Sequence, residues 1–212
     1  MPHLHKGILV VIEGIDGSGK STLAHNLSTT LQQQGFDTTL TKEPGASEIG
    51  KEIRKIIQAQ NIPFCSKAEY LLFAADRAQH FADLIIPALE QKKLIISDRM
   101  ADSSLAYQGY GNGLDLNMIR TINSWTMNNI LPDLTIFVHV PVEIARERAQ
   151  KRGSLSAYEK RENFLHKVAK GFEELYKNRT NVIVVDGIES PENLTTQTCD
   201  AITQWIHTKN YL

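Results

Sequence analysis

The chain has 212 residues, of which 42% are hydrophobic and 22% are charged, and its formal net charge is −1. This length can bury one sizeable core, so we expect a single domain over residues 1–212. The near-zero charge gives no electrostatic reason to expect binding to a nucleic acid polymer, although it does not argue against a local basic pocket for a nucleotide.

The cysteines and the short apolar runs of the sequence predict a cytoplasmic protein with no membrane segment. Cys65 and Cys199 lie far apart without metal-type spacing, which is typical of thiols in a reducing compartment. The N-terminus lacks the apolar run of a signal peptide, and no segment reaches the apolar length of a membrane span.

The first predicted element is a strand at 8–12, an unbroken apolar run that suits a central parallel strand covered on both faces. The pattern G-x-x-x-x-G-K-[ST] follows at Gly14–Ser21, where glycines let successive N–H groups face a phosphate at a helix N-terminus. Lys20 would reach the β/γ oxygens and Ser21 would ligate Mg²⁺. The predicted cofactor loop comprises Gly14, Ile15, Asp16, Gly17, Ser18, Gly19, Lys20, Ser21 and Thr22.

The rest of the chain alternates between predicted strands and helices. Strands are expected at 38–41, 94–97, 134–140 and 182–185. Helices are expected after the glycine loop, at about 47–59, at 66–90 with a kink at Pro87, and at 103–129. A further helix should end at about residue 178, and the last helix should begin at Pro191. This alternation predicts an α/β fold with a five-stranded parallel sheet and helices on both faces.

Three segments should meet at the carboxyl ends of these strands, where such sheets bind ligands: Gly14–Ser21, Glu43–Ala46 and Asp98–Met100. Asp98 would hold Mg²⁺ directly or through water, or cap the next turn. Arg99 suits a bidentate grip on a phosphate, or a salt bridge.

Phe73 and Arg77 are four residues apart and share a helix face. They could hold a base between a ring and a guanidinium, or be a core residue beside a solvated charge.

Ile96–Asp115, ISDRMADSSLAYQGYGNGLD, resembles the D-R-[YFM]-x-x-S-x-x-A-Y-Q-G signature of bacterial thymidylate kinases. TKEPG at 41–45 resembles their T-R-E-P-G-G motif, and LLFAADRAQH at 71–80 resembles their L-F-x-A-D-R-x-x-H helix. The resemblance implies a P-loop nucleoside monophosphate kinase fold with a short lid at about 150–158. It also implies phosphoryl transfer from ATP with Mg²⁺ to dTMP, giving dTDP and ADP, by a homodimer.

The resemblance implies roles for individual side chains as well. Phe73 would stack on thymine and Arg77 would hydrogen-bond its edge. Arg99 would hold the dTMP phosphate, Asp16 would lie near the sugar 3′-hydroxyl, and Tyr107 would pack where a ribose 2′-hydroxyl would sit. The remaining substrate residues would be Glu43, Pro44, Ser103, Ser104 and Gln108. For the last three, the alternative is that they are ordinary polar residues at a helix start or on the surface.

Departures from the family pattern leave one catalytic assignment open. The lid motif D-R-[IF]-E appears here as SAYE at 156–159, so its arginine is missing. Lys20, Arg99 and Asp16 would be joined in catalysis by Arg152, with Arg161 as the second candidate.

Other functions stay open at this point. They are another P-loop nucleoside or nucleotide kinase and a degenerate nucleotide-binding homologue. A GTPase-type switch is disfavoured, because the sequence has no N-K-x-D motif for reading guanine and no D-x-x-G switch after the third predicted strand.

Overall fold

A computed structural model describes residues 2–59, 63–151 and 163–212. It contains one parallel sheet with the strand order β2-β3-β1-β4-β5. The strands are β1 (Ile8–Glu13), β2 (Thr38–Lys42), β3 (Leu94–Asp98), β4 (Leu134–His139) and β5 (Val182–Asp186). The predicted five-stranded parallel sheet is therefore confirmed, with every strand bound within one residue of that expected.

Helices cover both faces of the sheet. Their bounds are α1 (Lys20–Gln33), α2 (Glu48–Gln58), α3 (Ser66–His80), α4 (Ile86–Glu90), α5 (Ala101–Ser104), α6 (Leu116–Thr126), α7 (Val142–Lys151), α8 (Phe164–Tyr176) and α9 (Pro191–Thr208). No helix within the described ranges is long and apolar enough to cross a membrane.

β1 is central because its side chains are apolar on both faces. Ile8, Val10 and Ile12 pack into a cluster with residues of α1 and α9. Leu9 and Val11 point the other way, into a cluster that includes Phe81 and Ile85. The alternation follows from the two-residue period of a strand, and it explains why the run is continuous rather than alternating in polarity.

The strand register aligns the ends of the three strands that carry the candidate site. Ile12 of β1 and Lys42 of β2 both lie opposite Asp98 of β3. The loops that follow these strands therefore start at one edge of the sheet, as the topology rule predicts.

Two predicted long helices contain a wider turn. Between α3 and α4, residues Phe81–Ile85 form a π-helical segment, in which the Ile86 N–H donates to the Phe81 carbonyl. Pro87 lacks an N–H and crowds the preceding turn, and the wider turn accommodates it without a break. A second π-helical segment, Leu105–Gly111, follows α5, and the chain turns at Gly113 (φ 78°) before α6.

Candidate active site

The glycine loop after β1 has a backbone that only glycine can supply. Gly17 and Gly19 have φ values of 85° and 98°, and Gly19 caps α1. A Cβ on Gly17 would lie 2.2 Å from the Ala145 carbonyl oxygen, whereas no described atom lies within 4 Å of a Cβ on Gly19. The loop is thus closely packed on one side and open at the α1 N-terminus, where backbone N–H groups and the helix dipole attract a phosphate.

Lys20 is held against this loop. Its Nζ donates to the Ile15 carbonyl at 2.6 Å and lies 3.4 Å from Ser18 Oγ, and the residue is only 4% exposed. Burial, and secondarily the charge of Arg99, lowers the pKa of Lys20 to about 7. The nearby carboxylates of Asp16, Asp98 and Glu13 do not offset this effect, so an anion beside the amine would favour its charged form, and the residue fits a bound phosphate group.

Ser21 and Asp98 form a pair that fits a magnesium site. Ser21 Oγ donates to Asp98 Oδ2 at 2.5 Å, and Asp98 Oδ1 is buried without a hydrogen-bond partner within the described ranges. No cluster of three His, Cys, Asp or Glu side chains suited to a metal occurs among the described residues. One carboxylate and one hydroxyl suit Mg²⁺, which keeps several waters and takes phosphate oxygens as further ligands.

The turn after β3 places Arg99 beside the glycine loop. Its Nη1 donates to the Gly14 carbonyl at 3.1 Å and to Ser103 Oγ at 3.0 Å, and its guanidinium forms an ion pair with Asp16. Its guanidinium carbon lies 5.3 Å from the centre of the Tyr107 ring. The structure thus brings together Asp16, Arg99, Ser103 and Tyr107, which are up to 91 residues apart in the chain.

Arg77 lies at the centre of a second, buried polar cluster. It is 1% exposed, and its Nε donates to Glu43 Oε2 at 2.8 Å. Its terminal nitrogens donate to Asn123 Oδ1 at 2.7 Å and to Ser104 Oγ at 3.0 Å. The alternative that Arg77 is a solvated surface charge is therefore wrong, while Phe73, one turn earlier on α3, is half-buried.

Glu43 connects this cluster to β2. Its Oε1 lies 3.0 Å from His80 Nδ1, and His80 Nε2 lies 2.7 Å from Thr41 Oγ1. Burial by itself would raise the pKa of Glu43, but Arg77 and His80 outweigh it and hold that pKa below its usual value. The carboxylate therefore stays charged inside the protein.

Two further predicted residues follow members of this cluster along the chain. Pro44 follows Glu43 through a cis peptide bond, and its carbonyl accepts from Arg54 Nη1 at 2.7 Å. Gln108 is buried in the second π-helical segment, where its Nε2 lies 3.4 Å from Glu69 Oε2. Pro44 is thus adjacent to Glu43 in the chain, and Gln108 lies four residues after Ser104.

Sequence reasoning missed three buried residues at this site. Glu13 ends β1 and is 0% exposed. A lone carboxylate closing an apolar run was a usable signal, because a strand interior rarely tolerates one without a partner. Asn123 carried no local signal, because its partner Arg77 is 46 residues away. His80 ends the quoted 71–80 motif but had no assigned role.

The lid predictions lie outside the described residues. Arg152, Arg161 and the segment 156–159 belong to that part of the chain, so they stay predictions. Before it, Arg146 is exposed, in agreement with a solvated helix face. Arg148 instead donates to the Gly187 carbonyl at 2.7 Å, which ties α7 to the turn after β5.

These features define a class of protein. A glycine loop at a helix N-terminus, a buried lysine and a Ser–Asp pair lie beside buried arginines at the carboxyl edge of a parallel sheet. This arrangement is that of a P-loop enzyme built for phosphoryl transfer.

Comparison with known proteins narrows the class to a family. The family model for thymidylate kinase matches residues 12–198. A thymidylate kinase from Halothermothrix orenii is 49% identical over 145 residues, covering 68% of this chain and 70% of the relative. One from Carboxydothermus hydrogenoformans is 37% identical over 190 residues, covering 89% and 93%. The chain therefore belongs to the thymidylate kinase family, whose named members are enzymes.

The fold agrees with this assignment. The crystal structure of thymidylate kinase from Ehrlichia chaffeensis superposes with a TM-score of 0.76 at 28% identity, covering 95% of this chain and 99% of that one. The resemblance drawn from the three sequence motifs is thus confirmed for family and fold.

Proposed function

We propose that this protein transfers the γ-phosphoryl group of ATP to dTMP, giving dTDP and ADP. The observation that carries the proposal is the contact between the two halves of the site. Arg99, the candidate ligand of the acceptor phosphate, donates to the Gly14 carbonyl of the loop suited to the donor phosphates. Donor and acceptor phosphates bound at these two places would be adjacent, as in-line transfer requires.

On the donor side, we assign the phosphates of ATP to the loop from Gly14 to Thr22. Lys20 would exchange its bond to the Ile15 carbonyl for the β/γ oxygens. Ser21 and Asp98 would hold Mg²⁺, with Asp98 Oδ1 available to it or to one of its waters. The ion would orient the β and γ phosphates and offset their charge.

On the acceptor side, we assign the thymine to Phe73 and Arg77. Three hydrogen bonds of Arg77 are described, and a guanidinium has five N–H groups, so donors are left for the base edge. Arg99 would hold the phosphate, Asp16 would lie near the 3′-hydroxyl, and Tyr107 would occupy the space of a 2′-hydroxyl. The other proposed substrate contacts are Glu43, Pro44, Ser103, Ser104 and Gln108.

The proposed chemistry needs no strong general base. The acceptor phosphate has a second pKa of about 6 and is largely dianionic near neutral pH. Lys20, Arg99 and a lid arginine, with Arg152 as the first candidate, would neutralise the charge on the transferring group. A closed lid would also keep water from hydrolysing ATP.

The experiment that tests the function is acceptor profiling. ADP formation from ATP and Mg²⁺ is measured with dTMP, dUMP, dCMP, dGMP and dAMP, and without acceptor. We expect turnover with dTMP and weaker turnover with dUMP, because one methyl group contributes only about 1–3 kcal/mol of discrimination. A dTMP rate equal to the acceptor-free rate would overturn the proposal, whereas faster turnover of another acceptor would favour a different nucleotide kinase.

The same assay on Arg152→Ala tests the lid assignment. A large loss of kcat is expected if this arginine neutralises the transferring group. Full retention of kcat would move the role to Arg161 or another residue and would leave the proposed reaction intact.

We propose that the protein acts as a homodimer, with the second copy on the surface of α2, α3 and α6. These helices lie side by side, α3 between the other two. They carry the exposed apolar residues Ile49, Ile56, Leu71, Met118 and Trp125, of which Trp125 is 77% exposed. Light scattering should give a dimer for the wild type and a monomer for Trp125→Glu, while a monomeric wild type would contradict the proposal.

We also propose a cytoplasmic location. Cys65 and Cys199 are both free, and Cys199 is buried. Unpaired thiols agree with a reducing compartment, and recovery of the protein outside the cytoplasm in cell fractionation would contradict it.

A further inference from the structure

We propose that Glu13 is a positioning residue, which holds the turn between β3 and α5 so that Arg99 faces the acceptor phosphate and which acts through Ser103. This inference rests on the proposed function, since it concerns the binding of the acceptor. Nothing in the sequence motifs assigns a role to Glu13.

The carboxylate of Glu13 makes all of its described hydrogen bonds to this turn. Its Oε1 accepts from the backbone N–H groups of Met100 at 2.9 Å and of Ser103 at 3.1 Å. Its Oε2 accepts from Ser103 Oγ at 2.5 Å. Glu13 is 0% exposed, so water does not compete for these bonds. One side chain at the end of β1 therefore fixes three donors that lie 87 to 90 residues further along the chain.

The turn needs such an anchor. Arg99 has a φ of 74°, a left-handed conformation that is unfavourable for a residue with a side chain. α5 begins directly after this turn, and its first N–H groups have no partner inside the helix. The bonds to Glu13 satisfy two of these backbone groups and oppose relaxation of the turn.

Ser103 extends the anchor to the guanidinium. Its hydroxyl accepts from Arg99 Nη1 at 3.0 Å and donates to Glu13 Oε2. A hydroxyl has one proton to donate, so an ionised Glu13 orients the Ser103 lone pairs toward Arg99. A protonated Glu13 would donate to Ser103 instead, and the hydroxyl would lose that orientation.

The surroundings of Glu13 bring its ionisation into the neutral pH range. Burial, with the nearby charge of Asp102 on α5, raises the pKa of Glu13 to about 7 against the opposing effects of Ser103 and Arg99. Lys20 and Tyr176 also interact with this carboxylate. A cavity of about 490 Å³ borders Glu13 and is lined in addition by Asp102, Arg120 and Arg179. Asp102 is paired with Arg179 at 2.6 Å, which limits its effect on Glu13.

The decisive variant is Glu13→Gln, because it keeps the shape and one acceptor oxygen for the backbone N–H groups. Its amide nitrogen would replace Oε2 and donate to Ser103, which reverses the polarity of that bond. At pH 8 we expect kcat/KM for dTMP to fall by about 10- to 100-fold, as for a small displacement of a positioning group. The KM for ATP should stay within about twofold of the wild type, because none of the described hydrogen bonds of Glu13 goes to the donor loop.

A matched control variant distinguishes a positioning role of Glu13 from a purely structural one. Asp133 accepts from the Leu9 N–H at 2.9 Å and from Lys6, far from the turn. Asp133→Asn should change thermal stability but not the acceptor kinetics. Ser103→Ala combined with Glu13→Gln should cost little more than either single change, since both break the same connection.

The pH profile supplies a readout that loss of stability would not change. The wild-type kcat/KM for dTMP should fall below pH about 7 as Glu13 takes up its proton, and Glu13→Gln should lack that part of the decline. The ratio of wild-type to variant kcat/KM should therefore shrink severalfold from pH 8 to pH 6, because titration of dTMP is common to both proteins.

Three outcomes overturn the inference: unchanged acceptor kinetics in Glu13→Gln, equal changes in the KM values of ATP and dTMP, or additive effects of the Glu13 and Ser103 substitutions. A wild type without dTMP-dependent turnover would instead refute the proposed function. The two failures are thus distinguishable in one set of assays.

Discussion

The donor loop and the acceptor pocket are adjacent, but they are built in opposite ways. The donor loop is one run of nine residues, 14–22, and its shape comes from glycine backbone conformations against Ala145 and Val138. The acceptor pocket joins Glu43, Arg77 and Asn123 from different elements, and its shape comes from buried charged and polar side chains.

This difference decides how each half should respond to mutation. A loop made by the backbone can lose a side chain without losing its shape, so a substitution there should affect chemistry and spare the fold. A pocket made of buried ion pairs should lose stability whenever one partner is removed, because the other charge is left without compensation. Four predictions test the contrast.

Lys20→Met should have the largest effect on catalysis. We expect kcat to fall by at least about 10³-fold, roughly 4 kcal/mol of transition-state stabilisation. Since burial depresses the pKa of Lys20 in the folded protein, its charge opposes folding below pH about 7. The ligand-free variant should therefore melt no lower than the wild type at pH 6.5, measured by calorimetry. A large drop in melting temperature would contradict the proposed independence of loop shape and side chain.

Arg77→Met should destabilise the protein by about 3–5 kcal/mol, because Glu43 would remain buried without its main partner. At roughly 2–4 °C per kcal/mol for a chain of this size, the melting temperature should fall by about 6–20 °C.

The matched double variant, Arg77→Met with Glu43→Gln, removes both charges. It should recover much of the melting temperature while the KM for dTMP stays high. Equal melting temperatures of the single and double variants would show that the ion pair is not what the fold depends on.

Asp76 provides a smaller effect with a defined pH dependence. Its Oδ1 accepts from the Gly45 N–H at 2.9 Å, while Oδ2 is buried without a described partner. Burial, and then Glu43, raises its pKa from 3.8 to about 6. The folded state thus binds the proton more tightly, and the contribution of Asp76 to stability is full below pH about 4 and is lost as the pH rises through 6.

Asp76→Asn should therefore be more stable than the wild type at pH 8 by about 1–3 kcal/mol, as the size of that shift indicates. Near pH 4 the two proteins should differ little. Urea unfolding at both pH values measures this, and a gain that is larger at pH 4 would contradict the assigned direction.

The smallest effect is expected at an exposed pair outside both halves of the site. Lys55 and Glu52 on α2 are 2.7 Å apart, with side chains 71% and 65% exposed. Lys55→Ala should change stability by less than about 0.5 kcal/mol and leave kcat and both KM values unchanged. A larger effect would mean that surface charge, not buried charge, dominates the stability of this protein.

Much of the donor half could be predicted from the sequence because its determinants are local. The phosphate pattern, the apolar run before it and the amphipathic helix after it lie within 26 residues, 8–33, and their geometry follows from backbone conformation. The order of strands and helices was predictable for the same reason, since the period of apolar residues is a local property.

The acceptor half was predictable only in part. Motif resemblance pointed to Arg77, Arg99 and Ser104, yet it did not reveal that Arg77 is buried against Glu43 and Asn123. The π-helical turn before Pro87 was also missed, because a kink, a break and a wider turn all satisfy the same proline.

The sequence by itself determined the sheet, the phosphate loop and the family, all of which depend on residues that are close together or arranged in recognisable runs. Only the tertiary structure decided which charges are paired. Glu13 meets the turn at Arg99, and Asp98 meets Ser21, because parallel strands bring their carboxyl ends to one edge. Burial at that edge then sets the ionisation of each group, and burial is a property of the packed chain that no local pattern encodes.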